Sequence, residues 1–201
     1  MLHPETVSPR LLELLKSLMG DPAFDGFALA GGTSLALQIG HRESVDIDLF
    51  GAAEIDEDLA LTAYSVFGET KRLKRSSNIL VCSVDGIKVD LVNYRYPVLQ
   101  DIREVDGLRL YSPADIGAMK LNAIAGRGSR KDFIDLYFLL KLFTLDQLLD
   151  FYRDKYSDGS EFLVLKSLTY FDDADSDVEP RLLKHVEWSA VKRHILLMVS
   201  I

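Results

Sequence analysis

Residues 27–30, Phe27-Ala28-Leu29-Ala30, form a short apolar run that stops at Gly31-Gly32 and gives way, from Thr33 to residue 39, to helical spacing. A buried strand that turns through two glycines straight into a helix commits this part of the chain to sheet packed against helix. The turn also has chemical potential. Glycine lets a ligand approach the backbone closely, and the N–H groups and dipole at a helix N-terminus favour phosphate. Thr33 or Ser34 could add a hydroxyl donor. Gly31-Gly32-Thr33-Ser34 by itself is equally consistent with the plain start of a helix in any α/β protein.

Residues 45–50 alternate acid with apolar side chains, the period-two pattern of a strand. Asp46 and Asp48 therefore project from one face, about 7 Å apart at their α-carbons. Held together, like charges need a cation or hydrogen-bond donors to offset them. Paired carboxylates are natural Mg²⁺ ligands, since that ion takes a few carboxylate oxygens and fills its shell with substrate phosphates and water. Two acids on a solvent-facing edge strand are the alternative reading. Runs 78–84 and 87–94 flank Asp85-Gly86, a strong hairpin signal, and the second run carries Asp90 among apolar neighbours. A partly buried acid there needs a partner. Three carboxylates on two adjacent strands, beside a phosphate-cradling turn, suit a two-metal centre for displacement at phosphorus. Lys88 shares Asp90's face and could neutralise it instead.

Around these residues, Ser8-Pro9 and the leucines at 11, 12, 14, 15 and 18 predict an early helix, residues 56–67 another, and residues 108–111 a short strand. At Ser112-Pro113-Ala114-Asp115 the character changes to helix: through residue 125, then over 130–142 and 145–156, with a last helix from Pro180 to the C-terminus that packs Trp188 and residues 196–201 onto the body. Two lobes follow, an α/β core over 1–111 and a helical lobe over 112–201. The single Cys82 excludes a disulfide framework and a cysteine-built zinc site, and its apolar setting makes it a packed thiol. No signal peptide is visible, and no apolar run is long enough for a bilayer, which points to a cytoplasmic protein without a membrane partner. The net charge of −8 disfavours general polyanion binding. Two basic knots stand against it. Lys71, Arg72, Lys74 and Arg75 read first as a solvated hairpin or loop, and Lys120, Arg127, Arg130 and Lys131 form the second.

Lys120 and Arg127 lie seven apart and share a helical face, which could bind a triphosphate and stabilise charge that develops in transfer. Asp132 and Asp135, three apart, share another face and can orient Lys120 or Arg127 or act as a base. The break at Gly126-Arg127-Gly128-Ser129 opens a fresh helix N-terminus. A solvated salt-bridge cluster is the alternative. His41 reads as a loop or packing residue, Arg42 as a candidate for phosphate or base, and Phe50, Tyr94 and Tyr96 as core aromatics or base-stacking rings.

Taken together, Gly31-Gly32-Thr33-Ser34 and Gly40-His41-Arg42-Glu43-Ser44-Val45-Asp46-Ile47-Asp48-Leu49-Phe50 resemble the signature of the DNA polymerase β-like nucleotidyltransferase superfamily. With Lys88-Val89-Asp90, the helix from Lys120 through Arg127, and Arg130-Lys131-Asp132-Phe133-Ile134-Asp135-Leu136, the chain resembles the AbiEii/AbiGii-type toxins of type IV toxin–antitoxin pairs, over roughly residues 24–142. The resemblance implies an α+β fold: a polymerase β-like core, a small mixed sheet with flanking helices, followed by a helical lobe. It implies transfer of an NMP from an NTP to an acceptor hydroxyl, with two Mg²⁺ ions on Asp46, Asp48 and Asp90. Gly31, Gly32, Thr33, Ser34, Lys120 and Arg127 would bind nucleotide, with Asp132 or Asp135 required. A tRNA 3′ end as acceptor and a cognate antitoxin are further implications. A small molecule or a protein side chain as acceptor, or a non-catalytic nucleotide-binding role, are the competing readings.

Overall fold

In the computed structural model, which describes residues 1–200, the alternating segments pair into one mixed sheet. Its strands are β1 (Ala28–Leu29), β2 (Asp46–Gly51), β3 (Thr70–Ser76), β4 (Ile79–Val84), β5 (Ile87–Asn93), β6 (Arg103–Val105) and β7 (Leu108–Leu110). Among the described residues the order is β3-β4-β5-β2-β1-β7-β6. β2 runs parallel to β5 and antiparallel to β1, so the strand with the acid pair is central. At the hairpin tip Asp85 and Gly86 have φ of 51° and 82°, the two positive values that a type I′ turn needs. The chain divides into two units, Met1–Tyr96 with Asp101–Tyr111, and Pro97–Gln100 with Ser112–Ile201.

In the first unit, α1 (Pro9–Met19) starts where Ser8 accepts a hydrogen bond from the Leu11 amide, and α3 (Glu57–Phe67) where Asp56 accepts from the Leu59 amide. Leu11, Leu15 and Tyr64 from these helices pack with Ile47, Leu49, Leu80, Cys82, Val89 and Leu91 from the sheet. Alternation does the sorting: Ile47 and Leu49 are fully buried in that core, while Asp46 and Asp48 emerge half-buried on the opposite face. Each large core side chain contributes about 1.5–3 kcal/mol through burial. Between β1 and β2 lies α2 (Gly31–Ile39), which starts at the first glycine, two residues earlier than the spacing predicts.

Of the two readings of the basic run at 71–75, solvated hairpin or loop, the hairpin is the one formed: the run is the edge strand β3, paired antiparallel with β4 and exposed along nearly its whole length. A bulge between Arg72 and Lys74 interrupts its pairing with β4. Arg72 and Arg75 both reach Glu57 of α3, at 2.7 and 3.0 Å. A charged, bulged strand of this kind resists pairing with another chain's edge. β6 also escaped the sequence reading, since three residues give too short an alternation to register.

The second unit holds α4 (Pro113–Gly126), α5 (Arg130–Leu139), α6 (Leu145–Lys155), α7 (Glu161–Ser167), α8 (Asp172–Ser176) and α9 (Trp188–Val199). The last helix begins at Trp188, eight residues after Pro180, because the apolar spacing of Val191 and Ile195 starts only there. Trp188 does pack inward, 6.1 Å from the Phe133 ring and 6.0 Å from Phe171. Leu196 and Leu197, expected to follow it, are exposed, and Ile201 lies outside the described residues. Among the described residues no helix is long and apolar enough to cross a membrane.

Its polar centre is the fully buried pair Asp115–Lys155, 2.8 Å apart. Asp115 also accepts from the Leu99 and Gln100 amides at 2.9 and 3.2 Å and from Ser112 Oγ at 2.7 Å, while Lys155 donates to the Pro97 carbonyl at 2.6 Å. Four donors on one carboxylate offset the cost of taking it out of water. Lys155→Met removes one partner and leaves the other charge buried; we expect it to lower stability by about 3–5 kcal/mol in urea unfolding, with Asp115→Asn/Lys155→Met recovering part of the loss.

Candidate active site

The turn after β1 is fastened to β2 by two hydrogen bonds and to Ser44, just before that strand, by a third. Ala30 N–H donates to the Asp48 carbonyl at 2.8 Å. The Thr33 hydroxyl donates to the Asp46 carbonyl, and Ser44 Oγ lies 2.8 Å from the same hydroxyl. Thr33 is buried, so its proton goes to the strand; it is a strut for β2 where the sequence suggested a phosphate donor. Ser34 is buried as well and accepts from Gln38 Nε2 at 3.1 Å. The part of the turn that stays accessible is therefore Gly31-Gly32. Gly31 has φ of 64°, and a Cβ there would run into the Asp48 carboxylate. Only glycine fits, because both the backbone angle and the neighbouring acid exclude a side chain.

The sheet register brings the carboxylates together. Asp48 lies directly opposite Asp90 on the parallel strands β2 and β5, and Asp46 opposite Lys88. Strands are spaced by about 4.8 Å, so the two acids face each other at that separation. Lys88 Nζ donates to Asp90 Oδ2 at 2.7 Å, so the neutralising partner is real. It satisfies one oxygen. Asp90 Oδ1 is buried and has no hydrogen-bond partner. Burial alone would lower the Lys88 pKa; the bond to Asp90 and the fields of Asp90, Asp48 and Asp46 outweigh it and raise it.

This donor set fits Mg²⁺. Among the described residues no three His, Cys, Asp or Glu side chains are gathered closely enough to hold a metal ion by themselves. Mg²⁺ does not need three, since one or two carboxylates with substrate phosphates and water complete its octahedron. A buried carboxylate oxygen without a donor, facing a second carboxylate, is a place where a hard cation relieves an electrostatic cost. On the same face, Phe50 stacks on Tyr94 at 4.9 Å and Tyr94 on Tyr96 at 5.1 Å, so the three rings pack on one another. His41 and Arg42 are buried, with Arg42 donating to the Glu43 carbonyl at 2.9 Å.

A second constellation forms in the helical unit. Lys120 on α4 is nearly buried, with Nζ 2.8 Å from Asp132 Oδ1 and 2.6 Å from Asp135 Oδ2 on α5. Arg127 Nε donates to Asp132 Oδ2 at 3.0 Å, and Ser129 Oγ to the same oxygen at 2.6 Å. Ser129 was not singled out from the sequence, although Ser129-Arg130-Lys131-Asp132 has the spacing of a capping pair. Burial alone would push the Asp132 carboxyl up, but Lys120 and Arg127 outweigh it and hold it well below the usual carboxylate range. Asp132 thus holds both Lys120 and Arg127, and Asp135 holds Lys120.

Comparison with known proteins identifies the family and the fold. The sequence model for the nucleotidyl transferase AbiEii toxin of the type IV TA system matches residues 13–78 and 81–200. Protein aq_aa25 of Aquifex aeolicus (strain VF5) is 35% identical over 176 residues, covering 83% of this chain and 84% of its own. Among solved structures, JHP933 from Helicobacter pylori superposes with a TM-score of 0.61 at 19% identity, over 95% of this chain and 88% of its own. MenT4, the nucleotidyltransferase toxin Rv2826c from Mycobacterium tuberculosis H37Rv, gives 0.58 at 17% identity over 95% and 82%. Antibiotic-resistance factor ANT(2'')-Ia gives 0.56 at 13% identity over 73% and 93%. The chain belongs to the AbiEii nucleotidyltransferase toxin family and is a nucleotidyltransferase with the α+β fold of that superfamily.

The depressed Asp132 carboxyl sets a pH dependence. Its contribution to stability is fully present above the unfolded aspartate value of about 3.9 and is lost as pH falls through the lower folded value. Asp132→Asn is expected to cost about 3 kcal/mol at pH 7 and to flatten the acid limb of stability below about pH 4, read by urea midpoints across pH.

Proposed function

We propose that this AbiEii-family enzyme transfers a nucleoside monophosphate from an NTP to the 3′-terminal hydroxyl of a tRNA, and that it acts as the toxin of a pair in which a cognate antitoxin prevents growth arrest in the cytoplasm. The observation that carries the chemistry is the register of Asp48 against Asp90, with one Asp90 oxygen buried and lacking a donor beside the Gly31-Gly32 turn. Asp46, Asp48 and Asp90 would hold two Mg²⁺ ions. When bound, such ions neutralise phosphate oxygens and lower the pKa of an attacking hydroxyl.

The chain's own residues supply the rest. The first amides of α2 and the bare Gly31-Gly32 backbone receive triphosphate oxygens, and the hydroxyl of Ser34 lies one turn behind them. Lys88 holds Asp90 in place through Oδ2 and leaves Oδ1 for the ion. The strut from Thr33 fixes Asp46 against α2, so the turn and the acid pair keep one geometry. In the second unit Asp132 holds Lys120 and Arg127, and Asp135 holds Lys120; these two cations are the ones we assign to nucleotide phosphates.

The test uses labelled NTPs with Mg²⁺, total tRNA and an aminoglycoside as separate acceptors. Label is expected in tRNA and to vanish on chelation of the metal. Asp48→Ala should reduce transfer by at least about 10³-fold, as loss of a charge-stabilising group at a reaction centre does. Its thermal midpoint should hold or rise, since one of two repelling carboxylates is gone. Transfer that survives in Asp48→Ala would overturn the mechanism; label in the aminoglycoside alone would overturn the acceptor.

A further inference from the structure

The bulge in β3 has sorted its four cations onto two faces. Pairing runs Arg72↔Cys82, Lys74↔Val81 and Arg75↔Leu80, with Leu73 as the extra residue. Followed across β4 and β5 to β2, Arg75 is in line with Leu80, Leu91 and Leu49, and Arg72 with Cys82, Val89 and Ile47. Both arginines therefore belong to the core face, where α3 presents Glu57 to them. Lys74 is in line with Val81, Asp90 and Asp48, and Lys71 with Ser83, Lys88 and Asp46. Side chains at directly paired positions share a face of the sheet. Two exposed lysines thus stand on the carboxylate face, one strand beyond β4 and in register with the acids.

We infer that the carboxylate face of the β4–β3 hairpin is the track for the acceptor's phosphodiester backbone, with Lys71 and Lys74 as its phosphate contacts. The inference rests on the reading of Asp48 and Asp90 as the reaction centre. At about 4.8 Å per strand, Lys74 lies about 14 Å from Asp48 along the row. An acceptor whose terminal hydroxyl is at the acids carries its following phosphates over Val81 and Ser83 toward the edge. A small-molecule acceptor ends before the lysines; a nucleic-acid end reaches them. Charge complementarity points the same way. In a chain of net charge −8, the positive edge of this face is the local attraction for a polyanion. Among the described residues Lys71 pairs with the exposed Glu69, at 3.0 Å, an ion pair weak enough for a phosphate to displace. The arginines, held by Glu57 on the other face, give a built-in control of equal charge on the same strand.

The experiment measures binding of 5′-labelled total tRNA over a salt series, together with transfer kinetics, for the intact protein, Lys71→Gln/Lys74→Gln and Arg72→Gln/Arg75→Gln. The lysine pair should weaken tRNA binding roughly tenfold and lower the salt slope by about 1.4, the value for two phosphates of a single strand. KM for tRNA should rise while KM for the NTP and kcat at saturating tRNA stay unchanged. The arginine pair should bind tRNA like the intact protein. Unchanged binding in the lysine variant, or an equal loss in both variants, would overturn the track. The intact protein failing to bind tRNA while still transferring NMP elsewhere would overturn it too, together with the acceptor. Surviving transfer in Asp48→Ala bears on the reaction centre alone.

Discussion

Two carboxylates set opposite each other on adjacent parallel strands repel, and much of the first unit follows from how that repulsion is managed. Asp48 and Asp90 cannot slide apart, because the register that pairs them also pairs Ile47 with Val89 and Leu49 with Leu91 in the core. A shift of one residue would expose those apolar side chains and bury the acids. The hydrophobic core thus enforces an electrostatic arrangement that no pair of acids would choose. Lys88 offsets part of the cost, and the remaining oxygen of Asp90 stays buried without a donor.

The helical unit manages buried charge differently. Each of its buried lysines meets buried acids: Lys155 meets Asp115, and Lys120 meets Asp132 and Asp135. Asp115 accepts from two backbone amides and a serine, which makes its pair a structural fastening. Asp132 instead shares an exposed arginine, so part of that cluster remains open to solvent. Burial with complete satisfaction sets the first pair apart from the second, where one cation stays accessible.

Much of this was legible in the sequence because it rests on short periods. Alternation placed Asp46 and Asp48 on one face, and Asp85-Gly86 fixed the hairpin that brings Asp90 into the sheet. Spacing along α4 and α5 put Lys120, Arg127, Asp132 and Asp135 near one another. What escaped depends on tertiary partners. The strand at 70–76 carries charge on both faces and so lacks the apolar alternation by which strands are read; it is a strand because β4 offers it an edge and Glu57 its counter-charge. Thr33 looked like a phosphate ligand because the fold that turns its hydroxyl toward the Asp46 carbonyl lies thirteen residues away. Lys155 gave no signal at all, since a lysine at a helix end ordinarily faces water.

The short segment Pro97–Gln100 gives the protein a constraint on the order of its own assembly. The chain leaves the first unit there, is claimed by the second, and returns to form β6 and β7 before leaving for good at Ser112. Its carbonyl at Pro97 waits for Lys155, 58 residues further along. On a ribosome, the first unit can bury its core while that anchor is still unsynthesised: Asp115 of α4 can take the Leu99 and Gln100 amides first, and the Pro97 carbonyl meets Lys155 only once α6 has emerged. Contacts of long sequence separation form late, so a segment near the middle of the chain is completed after its flanks are made.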